Sequence, residues 1–274
     1  MRTEKLAMRF SKAHAYGNDF LYVQQTDVAS LDLVALARSM CDRHEGVGAD
    51  GLIVYARTPV GASMALLNAD GSRAEVSGNG LRALGALLLR NDDRDQAEVV
   101  IHTAAGEKRL TRIAREGTRQ TFRAAMGAPA SLGQRTLTIA GEAVTAAILN
   151  MGNPQCVVLG RLPDQDRFNR LGRALATHSS FPEGTNVEFA FVEAPDRVRI
   201  LIWERGVGPT TSSGTGSCGA LVAAAAYGGA ARDATVIAPG GAQRVEWLPD
   251  NVYLTGWAEI ICEGEWLGQI PRTS

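Results

Sequence analysis

The sequence is short of cysteine, of net charge and of long apolar runs, and each shortage excludes a class of protein. Only four cysteines occur, Cys41, Cys156, Cys218 and Cys262. They are widely spaced and form no CxxC pair, which rules out a disulfide framework or a zinc site and leaves small buried thiols of a reducing compartment. Twenty-eight basic residues meet 29 acidic ones, for a formal charge of −1. That balance gives no reason to expect a nucleic-acid partner, and the local cluster Arg109–Arg115 reads as a solvated face. The opening MRTEKLAMRF carries no apolar core behind its basic residues, so no secretory leader is expected. The longest apolar run, Ala220–Tyr227, is far too short to span a bilayer. No GKS or GKT occurs, which excludes a P-loop, and His14, His44, His102 and His178 offer no legible triad with a serine. A soluble, cytoplasmic protein is expected, with no membrane partner.

What the sequence does contain is a repeated pattern. SGNGLRALGALLL, from Ser77 to Leu89, is echoed by SGTGSCGALVAAAAY, from Ser213 to Tyr227. Each reads serine, glycine, polar residue, glycine, then small apolar residues of helical length. A helix that opens in this way presents unpaired N–H groups and the positive end of its dipole, which together suit an anion. The echo extends along the chain. Gly17-Asn18 recurs as Gly152-Asn153 at an offset of 135, while DGLIVY from Asp50 recurs as NVEFAF from Asn186 at 136. MALLN from Met64 recurs as ILIWE from Ile200, and Gly78 recurs as Gly214, both at 136. Four ordered matches at almost one offset indicate an internal duplication, hence two similar domains facing one small molecule. The expected boundaries are 1–127 with 263–274 for the first domain and 128–262 for the second. Gly214 to Gly219 also fits GxGxxG, but Gly206–Ser212 separate it from the preceding strand, so dinucleotide binding is not expected.

Taken in order, Met8–Gln24 reads as two strands around a turn at Tyr16–Asp19, and Leu31–His44 as a helix. Strands are expected at Leu52–Tyr55, Met64–Leu67, Glu98–Thr103, Arg109–Ile113 and Gln120–Ala124. Met126–Arg135, with its Gly, Pro and Ser, reads as a linker between halves. Strands follow at Thr136–Ile139 and Glu142–Leu149, a turn at Met151–Gln155, a helix at Phe168–Thr177, and strands at Asn186–Phe191 and Arg197–Trp203. Short strands at Val245–Trp247, Val252–Thr255 and Trp257–Cys262 close the second half, and Glu265–Ile270 returns to the first domain.

KAHAYGNDF, NADGSRAEVSGNGLR, MGNPQC, FPEGTNVEF and ERGVGPTTSSGTGSC resemble, in that order, the motifs of the diaminopimelate epimerase family, over nearly the whole chain. The resemblance implies an α+β fold of two similar domains, each a mixed sheet curled around a central helix, with an amino-acid substrate in the cleft between them. It implies no metal, no pyridoxal phosphate and no other cofactor. Carried over by position, Asn68, Asn153, Asn186 and Arg205 would hold the unreacting amino-carboxylate end. Asn18, Gly78, Asn79, Glu204, Gly214 and Thr215 would surround the reacting carbon and its carboxylate. The residue chemistry agrees independently: Arg205 can grip a carboxylate with two N–H groups, asparagines can donate or accept, and Glu204 can accept from an ammonium. Both a single chain and a homodimer are compatible with this reading.

The sequence departs from the family at the residues that matter most. Epimerising an α-carbon without a cofactor takes two acid–base groups on opposite faces. The family uses cysteines where this chain has Ser77 and Ser213. A serine hydroxyl is a weaker acid than a thiol by roughly five units, on the order of 7 kcal/mol, against about 1–2 kcal/mol from a helix terminus. Gln155 stands where the family usually has histidine, and Gly51 where glutamine is common. Asp70, Glu75 and Glu204 are the carboxylates that could take over acid–base work. Cys156 and Cys218 match family cysteines other than the reacting pair, and His14 belongs to the first motif. Ser77 and Ser213 are therefore the expected catalytic pair in an epimerisation of LL- to meso-diaminopimelate, a step toward lysine and peptidoglycan. The alternatives are a racemase or isomerase of another amino acid, or an amino-acid-binding protein without turnover.

Overall fold

A computed structural model describes residues 8–74, 77–104, 106–139 and 141–268. The chain divides into two units, 1–122 with 257–274, and 123–256.

In the first unit the strands are β1 (Met8–Ala15), β2 (Asn18–Gln24), β3 (Gly51–Thr58), β4 (Gly61–Asn68), β5 (Arg73–Ala74), β6 (Ala97–Thr103) and β7 (Gly106–Glu116). Its helices are the short α1 (Gln25–Val28), α2 (Leu33–Cys41) and α3 (Gly78–Leu88). β1 and β2 pair antiparallel, β2 and β3 parallel, β3 and β4 antiparallel, β4 and β6 parallel, and β6 and β7 antiparallel. The parallel pairs need crossovers, which α2 and α3 supply. α2 starts where Asp32 accepts from Val34 N and Ala35 N, and stops where Asp42 takes the amides of His44 and Glu45. Those two aspartates trim the expected Leu31–His44 helix at both ends.

The second unit holds β9 (Ala130–Ile139), β10 (Glu142–Asn150), β11 (Pro154–Leu159), β12 (Asn186–Ala194), β13 (Arg197–Glu204), β14 (Gly208–Thr210), β15 (Asp233–Ala238) and β16 (Gly241–Trp247). Its helices are α4 (Gln165–Ala176) and α5 (Gly214–Ala223), the latter continued by a π-helical turn over Ala224–Gly228. The pairings repeat those of the first unit one for one. β10–β11 is antiparallel, β11–β12 parallel, β12–β13 antiparallel, β13–β15 parallel and β15–β16 antiparallel. Even the register is shared: Phe20 lies opposite Gly51, and Gln155 opposite Asn186, each at an offset of 135. The counterpart of Asn186 is therefore Gly51, and the expected match of DGLIVY to NVEFAF at 136 moves by one residue. The internal duplication is thus a duplication of topology, with α4 matching α2 and α5 matching α3.

β8 (Arg119–Gly127) and β17 (Val252–Trp266) carry the chain across the division. Here the structure corrects two expectations. Met126–Arg135 is not a linker, because β8 runs to Gly127 and β9 begins at Ala130, paired with β10. Only Ala128 and Pro129 remain between strands, since ladder pairing outweighs the loop-like composition. The two strands expected at Val252–Thr255 and Trp257–Cys262 are one, with Gly256 inside it. The return to the first unit therefore begins at Trp257, where β17 starts toward its pairing with β1. Gln269 and Ile270 lie outside the described residues.

α3 and α5 are buried along nearly their whole length, which explains their small-residue, all-round apolar composition. Each is the central helix of its own unit. In the second unit, alternation along β12 sends Val187 and Phe189 into the core under α4, with Phe168, Leu171 and Trp203. The opposite face of β12 sends Ala190 into the core around α5, with Leu221, Val222 and Ile202. Glu188 shares that second face.

Candidate active site

In the first unit the site is built on the start of α3. Ser77 is the N-cap, and its Oγ accepts from Gly80 N at 3.2 Å. Tyr22, fully buried on β2, donates to Gly80 O at 3.0 Å and pins the first turn from below. Asn18 reaches the same turn from the β1–β2 hairpin. Ala15 lies opposite Asn18, so the loop is the two residues Tyr16 and Gly17, both in the left-handed region at φ 56° and 83°. That is the primed turn whose twist fits a hairpin. From there a chain of hydrogen bonds runs through the site. Arg43 donates to Asp50 at 2.9 Å, Asn18 donates to Asp50 at 2.8 Å, Asn79 donates to Asn18 at 3.2 Å, and Arg82 donates to Asn79. Ionised ends fix the direction of both amides between them. Asp19 is gripped by Arg43 at 2.8 Å and Lys12 at 3.0 Å. Burial works to raise the Asp19 carboxyl, but those two cations outweigh it and hold it below the usual range. Asn68 is apart from this chain, donating to Ser72 at 2.9 Å within its own turn.

The second unit repeats the helix start. Ser213 is the N-cap of α5, and its Oγ accepts from Gly216 N at 3.1 Å. Gly152, at φ 88°, turns the chain so that Asn153 arrives beside it, donating to Thr215 Oγ1 at 3.3 Å. Gln155 lies buried behind Asn153, with 2.6 Å between its Nε2 and Asn153 Oδ1. Asn186, at the start of β12, accepts from Arg205 N at 3.0 Å and donates to Pro154 O at 3.3 Å. Arg205 also donates to Glu183 O at 3.2 Å, and Glu204 beside it ends β13, half-buried.

Within the first unit, then, Ser77, Gly78, Asn79 and Asn18 converge, and Asn68 stands at the end of β4 opposite Gly51. Within the second, Ser213, Gly214, Thr215 and Asn153 converge, and Asn186 joins Glu204 and Arg205. Asp70 is exposed and turned into its own loop, where its carboxyl accepts from Ser72 N at 2.8 Å and is held below the usual range by Ser72. Glu75 lies outside the described residues. His14 accepts from Gly17 N at 3.4 Å and so supports the hairpin turn that carries Asn18. Cys218 is buried in the core around α5, and burial, followed by the nearby Glu188, pushes the Cys156 thiol up to about 12. Gly51 has a steric reason: a Cβ there would lie 2.7 Å from Leu67 O, so the glutamine common at this place would force the β3–β4 ladder apart.

Sequence reasoning missed Arg82, Asp50 and Glu188. Arg82 is 1 % exposed, the charged residue inside the apolar run of α3, and that mismatch was its signal. Glu188 had a comparable one, a carboxylate in the otherwise apolar strand NVEFAF. It is wholly buried, and burial, with repulsion from Glu204, holds its carboxyl well above the ordinary range. Asp50 sits in a glycine-flanked loop and carried no pattern of its own.

The sequence profile of the family described as diaminopimelate epimerase matches residues 10–131 and 147–261. The chain is 38 % identical to the diaminopimelate epimerase of Desulforudis audaxviator, over 95 % of this chain and 99 % of that one. It is 36 % identical to that of Pelotomaculum thermopropionicum, over 94 % and 99 %. Among solved structures it is similar to a hydroxyproline epimerase from Agrobacterium vitis with bound trans-4-hydroxy-L-proline. That match has a TM-score of 0.70 at 15 % identity and covers 97 % of this chain and 92 % of that one. At such identity the likeness speaks for the fold alone.

Proposed function

Because the chain belongs to the diaminopimelate epimerase family, we propose that it interconverts LL- and meso-diaminopimelate by a two-base reaction without a cofactor, with Ser77 and Ser213 as the two groups. The observation that carries this reading is the repeated helix start: in each unit a serine caps the central helix, its oxygen 3.2 or 3.1 Å from the N–H three residues on. One serine, as its alkoxide, takes the α-proton to become a hydroxyl as the C–H bond breaks, and the electron pair passes into the substrate carboxylate. The other serine, which starts as the hydroxyl, gives its proton to the opposite face and ends as the alkoxide, so that charge and protons balance and the reaction is redox-neutral. The capping N–H and the helix dipole both favour negative charge on that oxygen. Asn68, Asn153, Asn186 and Arg205 hold the distal amino-carboxylate. Asn18, Gly78, Asn79, Glu204, Gly214 and Thr215 surround the reacting end, where the first-turn N–H groups of both helices have no partner within the helix.

The cytoplasm suits a chain whose four cysteines are widely spaced and form no CxxC pair, and no helix among the described residues is long and apolar enough to cross a membrane. A homodimer is compatible with the reading, and sedimentation would decide it.

Incubation with LL-diaminopimelate in D2O should place deuterium at the α-carbon and form the meso isomer. Replacing both serines by cysteine should raise the rate on the order of 10²–10⁴-fold, the usual worth of a well-matched acid–base group. One observation favours a second reading, a binding protein without turnover: serine stands at both acid–base positions, where an alkoxide is expensive. Calorimetric binding of diaminopimelate with no exchange at high protein concentration would establish that reading and end the first.

A further inference from the structure

Glu188 is absent from the roles assigned above, yet it is a wholly buried carboxyl set against the first turn of α5. A Cβ built on Gly216 would lie 2.6 Å from its Oε1, so the helix backbone leaves the carboxyl no room to turn away. Its side-chain partner is the amide of Gln155, one end of which lies 3.0 and 3.2 Å from the two carboxyl oxygens. Which end that is depends on the proton of Glu188, since amide nitrogen and oxygen are told apart only by their hydrogen bonds.

With the proton on, the carboxyl O–H donates to Gln155 Oε1, and Gln155 Nε2 donates to Asn153 Oδ1 at 2.6 Å. Asn153 Nδ2 then donates to Thr215 Oγ1 at 3.3 Å, and the Thr215 hydroxyl keeps its own proton for a ligand. This arrangement sets two donors, Gln155 Nε2 and Asn186 Nδ2, 3.3 Å apart, with Asn186 donating to Pro154 O; in the reverse orientation Gln155 Oε1 accepts from Asn186 Nδ2 at that distance. With the proton off, the Gln155 nitrogen must face the carboxylate. Asn153 must then turn its nitrogen to Gln155 and its oxygen to Thr215, which has to donate inward. The relay reverses, and the ligand loses one donor.

We propose that Glu188 is a positioning residue: it stands protonated under α5 and, by donating to Gln155, sets the direction in which the Gln155–Asn153–Thr215 relay meets the substrate. The functional half of this statement rests on the epimerase reading. The other titratable groups set against Glu188 are Glu204 on β13, whose negative charge opposes a second one, and the Cys156 thiol on β11. Burial acts in the same direction.

Infrared difference spectroscopy of the native chain against Glu188→Gln at neutral pH tests the proton directly. The carbonyl stretch of a protonated carboxylic acid should be present in the native protein and missing from the variant. Its absence from the native protein overturns the proposal. In parallel, Glu188→Leu fills the space without a donor and should raise KM for diaminopimelate about tenfold, the scale of one lost hydrogen bond to a charged ligand, with kcat less affected. Glu188→Gln, which keeps an N–H toward Gln155, should recover most of that loss. Equal KM values for the Leu and Gln variants would reduce Glu188 to a space filler and overturn the relay. If the protein binds diaminopimelate without turnover, the epimerase reading falls, while the infrared band and calorimetric affinities of the same variants still decide the role of Glu188.

Discussion

Ser77 and Ser213 each serve the helix as well as the proposed chemistry, and the two contributions separate by substitution. Alanine removes the capping oxygen, so each Ser→Ala change should cost about 1 kcal/mol in urea unfolding, whereas cysteine in the same place tests acid–base strength. A second residue-scale prediction concerns Glu188. Its folded pKa lies above the ordinary carboxylate value, so the native state holds a proton that the unfolded chain releases. Stability should therefore fall as pH rises above the ordinary carboxylate range, by at most about 1.4 kcal/mol per unit, until the folded pKa is reached. Glu188→Gln should remove that decline, read from urea midpoints near pH 6 and near pH 9. The thiols give a third test. Cys41 and Cys156 are buried and pushed up to about 12, Cys218 is buried in the core, and Cys262 is exposed. A thiol reagent at neutral pH should label Cys262 in the native protein and the other three only after denaturation.

At the scale of elements, one departure of this chain from its family, Gly51, has a local cause. Gly51→Gln should not restore a missing contact. With Leu67 O at 2.7 Å from the built Cβ, it should destabilise the protein by about 1–3 kcal/mol, measurable as a lower melting temperature. Much of the element list was legible from the chain alone. Alternation marked β13, the repeated serine–glycine openings marked α3 and α5, and the shared offsets marked the duplication. What could not be read has a common origin in non-local pairing. β11 continues past its turn because β10 and β12 flank it, and β15 forms beside β13, its partners lying 38 residues earlier in the chain. β9 overrides a loop-like composition for the same reason. In the site, Asn18 with Asn153 and Gly78 with Gly214 announced themselves through repetition, while Asn68, Asn79 and Asn186 were marked only by the resemblance to the family. Asp50 and Arg43 did not, because their value lies in orienting Asn18, a relation between loops that no spacing encodes.

For the whole molecule, the two crossing strands matter most. β17 belongs to the second unit up to Gly256 and to the first from Trp257, where it pairs with β1 as far as Met8 opposite Trp266. A chain ended at Gly256 would leave β1 without that partner. Hydrogen exchange should then show lost protection in β1 and β2, while β10 to β13 keep theirs. The same pairing has an implication for how the gene could be rewired. Since Met8 and Trp266 face each other across one ladder, a short bridge could join them. The sequence could then be opened at Ala128–Pro129, where two residues separate β8 from β9. Such a rearranged protein would read most of its second half first, and the part of β8 that belongs to that half, residues 123–127, would arrive last.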